Sequence, residues 1–304
     1  MRIFKGMAYN DNRMLVSEVK FLPSEENGDG WWALFTKENR PGAPVKWTEW
    51  FETQEEAYDG LFACIKDTPL ISLGGNPIPR KEFETMTKRV DLKLLAQDRM
   101  KDRLNGFKNI GDFHDGYYEC QKYVSPWTKS GANFDADIMI IGQDWCGENL
   151  LKEPKNSSLR NKGYDASYPT NKNLDDLLDK AFGIGRTDCY LTNVFPFVKS
   201  GNAGTTIGMG ALKYCAENYT RKEIEIVVPK IIICLGLRTF IALRRAYSIP
   251  GTPRLNEAIN NSIETEQTSI YCVAHTGSRG MNNRSRFQVE RDWANIAAKC
   301  RRSQ

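Results

Sequence analysis

The sequence predicts an α/β fold of three layers, α/β/α, built on a four-stranded parallel sheet and preceded by a small β-rich α+β domain. Three observations carry this prediction. Four short apolar runs, Ile138 to Ile141, Cys189 to Thr192, Ile231 to Leu235 and Ile270 to Ala274, have the length and composition of strands buried on both faces. Helical stretches separate them, as parallel strands joined by right-handed crossovers require. Each run ends on a glycine or a polar residue: Gly142-Gln143-Asp144, Asn193, Gly236 and His275. The carboxyl edge of such a sheet is where open α/β proteins bind ligands. That edge gathers a carboxylate, an amide and an imidazole.

The elements follow in order. Residues 1–70 read as a separate β-rich unit, with strands over Leu15 to Leu22, Trp31 to Thr36 and Val45 to Phe51. Glu25-Glu26-Asn27-Gly28-Asp29-Gly30 and Pro41-Gly42-Ala43-Pro44 supply the turns between them. Thr53 and Glu56 form a capping box for a helix to about Lys66. Trp31 and Trp32, being adjacent, point to opposite sides of their strand. One of them is core; the other is either core or part of an aromatic binding surface. Gly74-Gly75-Asn76-Pro77-Ile78-Pro79 is a linker. A helix from Arg80 to Leu104 follows, with Val90, Leu94 and Leu95 on its apolar stripe. Residues 71–112 thus lead into an α/β/α domain over 113–304. Within it, a helix from Ala211 to Val228 stops before Pro229, which has no N–H to continue it.

Composition narrows the function. The chain has 304 residues, a 40% hydrophobic fraction and a net charge of +4, with no apolar run long enough to span a membrane and no signal-peptide pattern at its start. A cytoplasmic, monomeric protein is expected. Its eight cysteines contain no Cys-x-x-Cys pair, so no metal and no cofactor is expected, and Cys234 and Cys272 read as buried packing thiols. The charge is concentrated: from Arg279 onward there are seven Lys/Arg against two Asp/Glu, and Arg238, Arg244 and Arg245 follow another strand. Such clusters are commonly solvated faces, but these flank the edge where a phosphate backbone would pass.

The ordered motifs resemble those of the uracil-DNA glycosylase superfamily. Gly142-Gln143-Asp144 is similar to its water-activating motif, Leu191-Thr192-Asn193 to its base-reading strand, and His275 with Ser278 and Arg279 to its closing histidine loop. Asn173 to Leu178 and the helix leading to Pro229-Lys230 add to the resemblance, which runs from Phe113 to Ala298. It implies a monofunctional DNA glycosylase acting on a flipped-out pyrimidine. Cleaving the N-glycosidic bond creates an oxocarbenium-like sugar and an anionic base. Asp144 then lies beneath the sugar and orients water, while neutral His275 donates to the base O2. Asn193 reads the Watson–Crick edge of uracil or, with its amide reversed, of cytosine. Gln143 contacts the base O2 or a phosphate, and Tyr168, or else Tyr164, stacks on the base. Arg279 is either a wedge that opens the duplex or a phosphate contact, with Met281 as an apolar alternative wedge. Ser278, Asn282 and Arg284 complete the DNA-binding loop. Lys199 and Ser200 read as phosphate contacts or solvated residues.

Two departures bear on the substrate. The uracil-specific branch has proline and tyrosine after its aspartate, the tyrosine screening out C5 substituents; here Trp145 and Cys146 stand there. The histidine loop has Thr276-Gly277 in place of proline and serine. A small Cys146 leaves the C5 side open, with Trp145, Glu148 or Asn149 available to a substituent. The base is therefore uracil or a bulky C5-modified pyrimidine of phage DNA, whose removal is antiviral defence. No lysine occupies the three motif positions, which favours simple hydrolysis over a Schiff base. A non-catalytic nucleic-acid-binding module on the same fold is the alternative, and keeping both Asp144 and His275 speaks against it.

Overall fold

Two periodicities in the apolar runs place the core of the larger unit. Ile138 and Ile140 pack on one side of the sheet with Leu191, Ile233, Leu235, Tyr271 and Val273, while Met139, Ile141, Ile232, Cys234 and Cys272 pack on the other. Successive side chains of a strand point to opposite faces, so a run apolar at every position must be covered twice. The covering is helical on both sides. Leu174, Leu177, Leu178, Val289, Trp293 and Ile296 close the first face; Leu92, Leu95, Leu212, Ile224, Phe240 and Leu243 close the second. Three layers, α/β/α, result.

The computed structural model describes residues 4–10, 13–22, 30–36, 47–51, 56 and 80–302 except 203, and up to residue 51 the description is of the backbone. The chain divides into two units, Met1–Asp91 and Leu92–Gln304. In the first, β1 (Phe4–Asn10), β2 (Arg13–Leu22), β3 (Gly30–Thr36) and β4 (Trp47–Phe51) form an antiparallel sheet in sequence order. Its first strand is additional to the three expected. The predicted helix from Thr53 to Lys66 and the linker at 74–79 lie outside the described residues, as do the side chains of Trp31 and Trp32.

Helix α1 (Arg80–Lys101) ends three residues before the expected Leu104. Its buried positions are Val90, Leu92, Leu95, Ala96 and Arg99, whereas Leu94 is 41% exposed. The buried stripe is therefore rotated from the expected one, and it includes an arginine. Arg99 is tolerated because Asn109 and Glu119 accept its Nη1 hydrogen bonds at 2.6 and 2.8 Å.

The second sheet holds β5 (Ile138–Asp144), β6 (Tyr190–Phe195), β7 (Ile231–Leu235), β8 (Ile263–Glu264) and β9 (Ser269–Val273), in spatial order β6-β5-β7-β9-β8. The four expected strands are parallel; the short β8 joins as an antiparallel edge. Between β5 and β6 lie α2 (Glu148–Lys152), α3 (Ser157–Lys162) and α4 (Pro169–Phe182). After β6 come α5 (Met209–Cys215), a π-helical turn Ala216–Thr220 and α6 (Arg221–Val227). Val228 then takes a left-handed conformation (φ 56°) before Pro229, so the helix stops where expected. Helices α7 (Leu237–Ala246) and α8 (Leu255–Asn260) follow β7, and α9 (Ser278–Arg284) and α10 (Arg286–Arg302) follow β9. From β5 the chain winds first to one side, to β6, and then to the other, to β7. The crevice at the carboxyl end of β5 is thus the topological switch point, where such sheets bind ligands.

Candidate active site

At that switch point the register sets Gly142 of β5 beside Asn193 of β6. The approach leaves no room for a side chain: a Cβ on Gly142 would stand 2.6 Å from Asn193 Nδ2 and 3.2 Å from the Trp127 ring. The first residue of the Gly142-Gln143-Asp144 motif is therefore glycine so that amide and indole can close on the strand. Asn193 is 3% exposed and its orientation is determined. Ser125 Oγ accepts from the Trp127 backbone N–H (3.2 Å) and donates to Asn193 Oδ1 (2.7 Å), which leaves Nδ2 against Gly142.

Asp144 ends β5 with both oxygens engaged. Gln143 Nε2 donates to Oδ1 at 2.8 Å, and Lys199 Nζ lies 2.7 Å from Oδ2. Gln143 is itself held, its Oε1 accepting from Arg238 Nε at 3.2 Å. Its amide thus helps to orient the carboxylate while the residue also lines the cavity.

His275, just past β9, accepts the backbone N–H of Gly277 on Nδ1 at 2.9 Å. The neutral ring then carries its proton on Nε2, as a donor. The ring is open to the cavity while protein crowds its other sides. That loss of hydration lowers its pKa below the usual imidazole value, opposed by the Asp144 charge and reinforced by Lys199. At neutral pH His275 is an uncharged donor. Gly280 of α9 packs against the backbone of His275, where a Cβ would meet the carbonyl oxygen at 2.0 Å. The segment after His275, expected as a loop, is thereby a two-turn helix.

Asp144, Asn193 and His275 line one cavity of about 500 Å³. Its walls include Trp127, Trp145, Tyr164 and Tyr168, and its lining also holds Cys146, Asn149, Glu153 and Asn202. Burial pushes the Cys146 thiol far up, so it is a packing group and not a nucleophile. Trp145 is fixed by a 2.7 Å hydrogen bond from Nε1 to the Gly163 carbonyl. Tyr164 stacks on the Arg186 guanidinium, 4.1 Å from its ring centre, while Tyr168 is 41% exposed and faces the cavity.

A family model, the uracil DNA glycosylase superfamily, matches residues 128–297, more than half of the chain. The chain belongs to the uracil DNA glycosylase superfamily. No curated protein matches it. Membership supports DNA glycosylase chemistry at the general level, with DNA as the partner. Among the described residues no helix is long and apolar enough to cross a membrane.

Within this superfamily fold, several expected residues are placed differently. Met281 is buried in the core beneath α9, so it is no wedge, and Arg279 alone keeps that reading. Arg284 is held inside the protein: its guanidinium binds both carboxylate oxygens of Asp292, at 2.5 and 2.9 Å, and Asn256 at 2.6 Å. Ser278, Arg279 and Asn282 are exposed on α9. Glu148 does not reach the cavity; Lys108 and Lys152 engage it at 2.6 and 3.0 Å. The basic carboxyl-terminal stretch is partly self-paired, since Arg286 is taken by Asp176 and Glu290. Trp127, Ser125 and Asn202 carried no signal in the sequence. Lys199, expected as a phosphate contact or a solvated residue, is 2% exposed and paired with Asp144.

Proposed function

We propose that the protein is a monofunctional DNA glycosylase that excises a pyrimidine bearing a bulky polar group on C5. The observation that carries this reading is the cavity of about 500 Å³ whose lining holds Cys146 together with Asn149, Glu153 and Asn202. That volume is of the size that holds a drug-sized ligand rather than a bare pyrimidine ring. A tyrosine at position 146 would take up part of that space, and the polar groups of the lining would satisfy the hydroxyls of a substituent.

In the reaction the target nucleotide leaves the stack and enters the cavity, with Trp127 and Tyr168 available to its faces. Asp144 stabilises positive charge as the C1′–N1 bond lengthens and orients the water that attacks C1′. His275 Nε2–H donates to the O2 on which the departing base gathers negative charge. Asn193 Nδ2 donates equally well to O4 of a uracil-type ring or N3 of a cytosine-type ring. The ring type is left to the assay. Excision of such bases suits attack on modified phage DNA.

The test is mass spectrometry of bases released from ordinary, uracil-containing, hydroxymethylated and glucosylated DNA. Release of C5-modified pyrimidine is expected, and Cys146→Tyr should abolish that release while sparing uracil. Wild-type release of unmodified uracil alone refutes the C5 reading and leaves ordinary repair. Failure to release any base from the panel would point to a binding module.

A further inference from the structure

We propose that Lys199 is a positioning residue for base excision: from behind the cavity wall its ammonium group holds the Asp144 carboxylate in place and supplies its counter-charge. The inference rests on the reading of Asp144 as the catalytic carboxylate. Lys199 Nζ lies 2.7 Å from Asp144 Oδ2, and the lysine side chain is 3% exposed. Asp144 lines the cavity and Lys199 does not. The lysine therefore acts through the carboxylate instead of touching the substrate.

Its seat is built by backbone on both sides. Val198 exchanges hydrogen bonds with Lys108 at 2.9 and 3.3 Å. Glu148 N–H donates to the Lys199 carbonyl and Asn149 N–H to the Gly201 carbonyl, each at 2.9 Å. Gly147 comes so close that a Cβ there would be 2.7 Å from the Gly201 oxygen. The segment after β6 is thus stitched to the segment after β5, and Lys199 is buried. A lysine buried this way is tolerated only against an opposite charge.

The division of labour follows. Gln143 fixes one carboxylate oxygen and Lys199 the other, which aims the group at the place where C1′ becomes positive. Other charged or titratable groups face Asp144 less directly: His275 from beyond β9, Cys146 from its own loop, Arg238 through Gln143, and Glu153 across the cavity. Among the described residues Lys199 is the one in direct ionic contact.

The experiment uses Lys199→Met, Lys199→Gln and Lys199→Arg in the full chain, beside Asp144→Asn. Single-turnover excision is followed at pH 7, and DNA affinity by anisotropy. The neutral variants are expected to lose about tenfold or more in rate, with affinity nearly unchanged. Arginine should restore most of the rate. With only two histidines in the chain, imidazole NMR gives an independent reading, and His275 should titrate higher once the neighbouring positive charge is gone. Should Lys199→Met fail to fold, Lys199→Gln keeps a donor at the site and decides the matter. Failure of arginine to restore the rate, or a loss of DNA affinity as large as the loss of rate, means a merely structural role and overturns the proposal. Borohydride trapping of a DNA adduct on Lys199 also overturns it, by making the lysine a nucleophile. If Asp144→Asn is inactive while all three lysine variants are normal, only this inference fails. If Asp144→Asn itself is normal, the reading of the carboxylate fails.

Discussion

Glu223 gives a prediction whose size can be worked from the structure. This carboxyl group of α6 is fully buried under β6, where Tyr190 Oη donates to it at 2.8 Å and Thr192 Oγ1 lies 3.0 Å from both its oxygens. Thr192 precedes Asn193, the proposed base reader, so the group supports the strand that carries the candidate site. Burial pushes its pKa up to about 8 from an ordinary 4.5, against the lowering effect of the two hydroxyls. Between those values the folded protein holds a proton that the unfolded chain releases. Folding then takes up a proton, and stability falls as pH rises through the interval, by about 1.4 kcal/mol per unit. Across the whole interval the loss is roughly 5 kcal/mol; above pH 8 it levels off. Glu223→Gln replaces the protonated carboxyl with a neutral amide that offers the same donor and acceptor. The variant should match wild type near pH 5 and exceed it by several kcal/mol at pH 8, while base excision at pH 6 is unchanged. Urea denaturation of both proteins at unit steps of pH measures the difference. Two curves that stay parallel from pH 5 to 8 would refute the argument, because no proton would then be coupled to folding at this position.

Four further predictions concern the site. His275→Ala should lower excision by about a hundredfold or more, the usual cost of losing a group that stabilises transition-state charge, and leave DNA binding intact; near-normal single-turnover rates would remove it from the mechanism. Asp144→Asn should cost at least as much rate and also lower the melting temperature, because it removes the carboxylate that the buried Lys199 ammonium contacts at 2.7 Å. Gly142→Ala should reduce kcat/KM by about tenfold to a hundredfold, since its Cβ displaces Asn193 Nδ2 and the Trp127 ring; steady-state kinetics with an unchanged value would show that the amide does not read the base. Arg279→Ala should impair duplex substrates more than single strands if this exposed residue opens the stack, whereas equal loss on both would make it a phosphate contact.

The parallel strands, their order of appearance and the three polar strand ends were legible in the sequence because their cause is local. A run apolar at every position can only be a strand covered twice, and the residue that follows it must sit on the carboxyl edge. Gly142-Gln143-Asp144, Asn193 and His275 therefore declared themselves by position. Other features depended on what packs across the fold. The segment after His275 reads as a loop, being rich in glycine and asparagine, yet Gly280 is what lets a helix lie on the His275 backbone, and that helix turns Met281 inward. Arg284 reads as a DNA contact until Asp292 closes on it. Ser125 orients Asn193 from 68 residues away, and Trp127 reaches Gly142 from a short helix that no periodicity marks. Lys199 is the sharpest case. Before Ser200, Gly201 and Asn202 it reads as a phosphate contact or a solvated lysine, because nothing local says otherwise. Only the tertiary structure, by stitching the chain after β6 to the chain after β5, removes its water and leaves Asp144 as its counter-charge. Burial of a charge is decided by its surroundings, and those are assembled from segments distant in the chain.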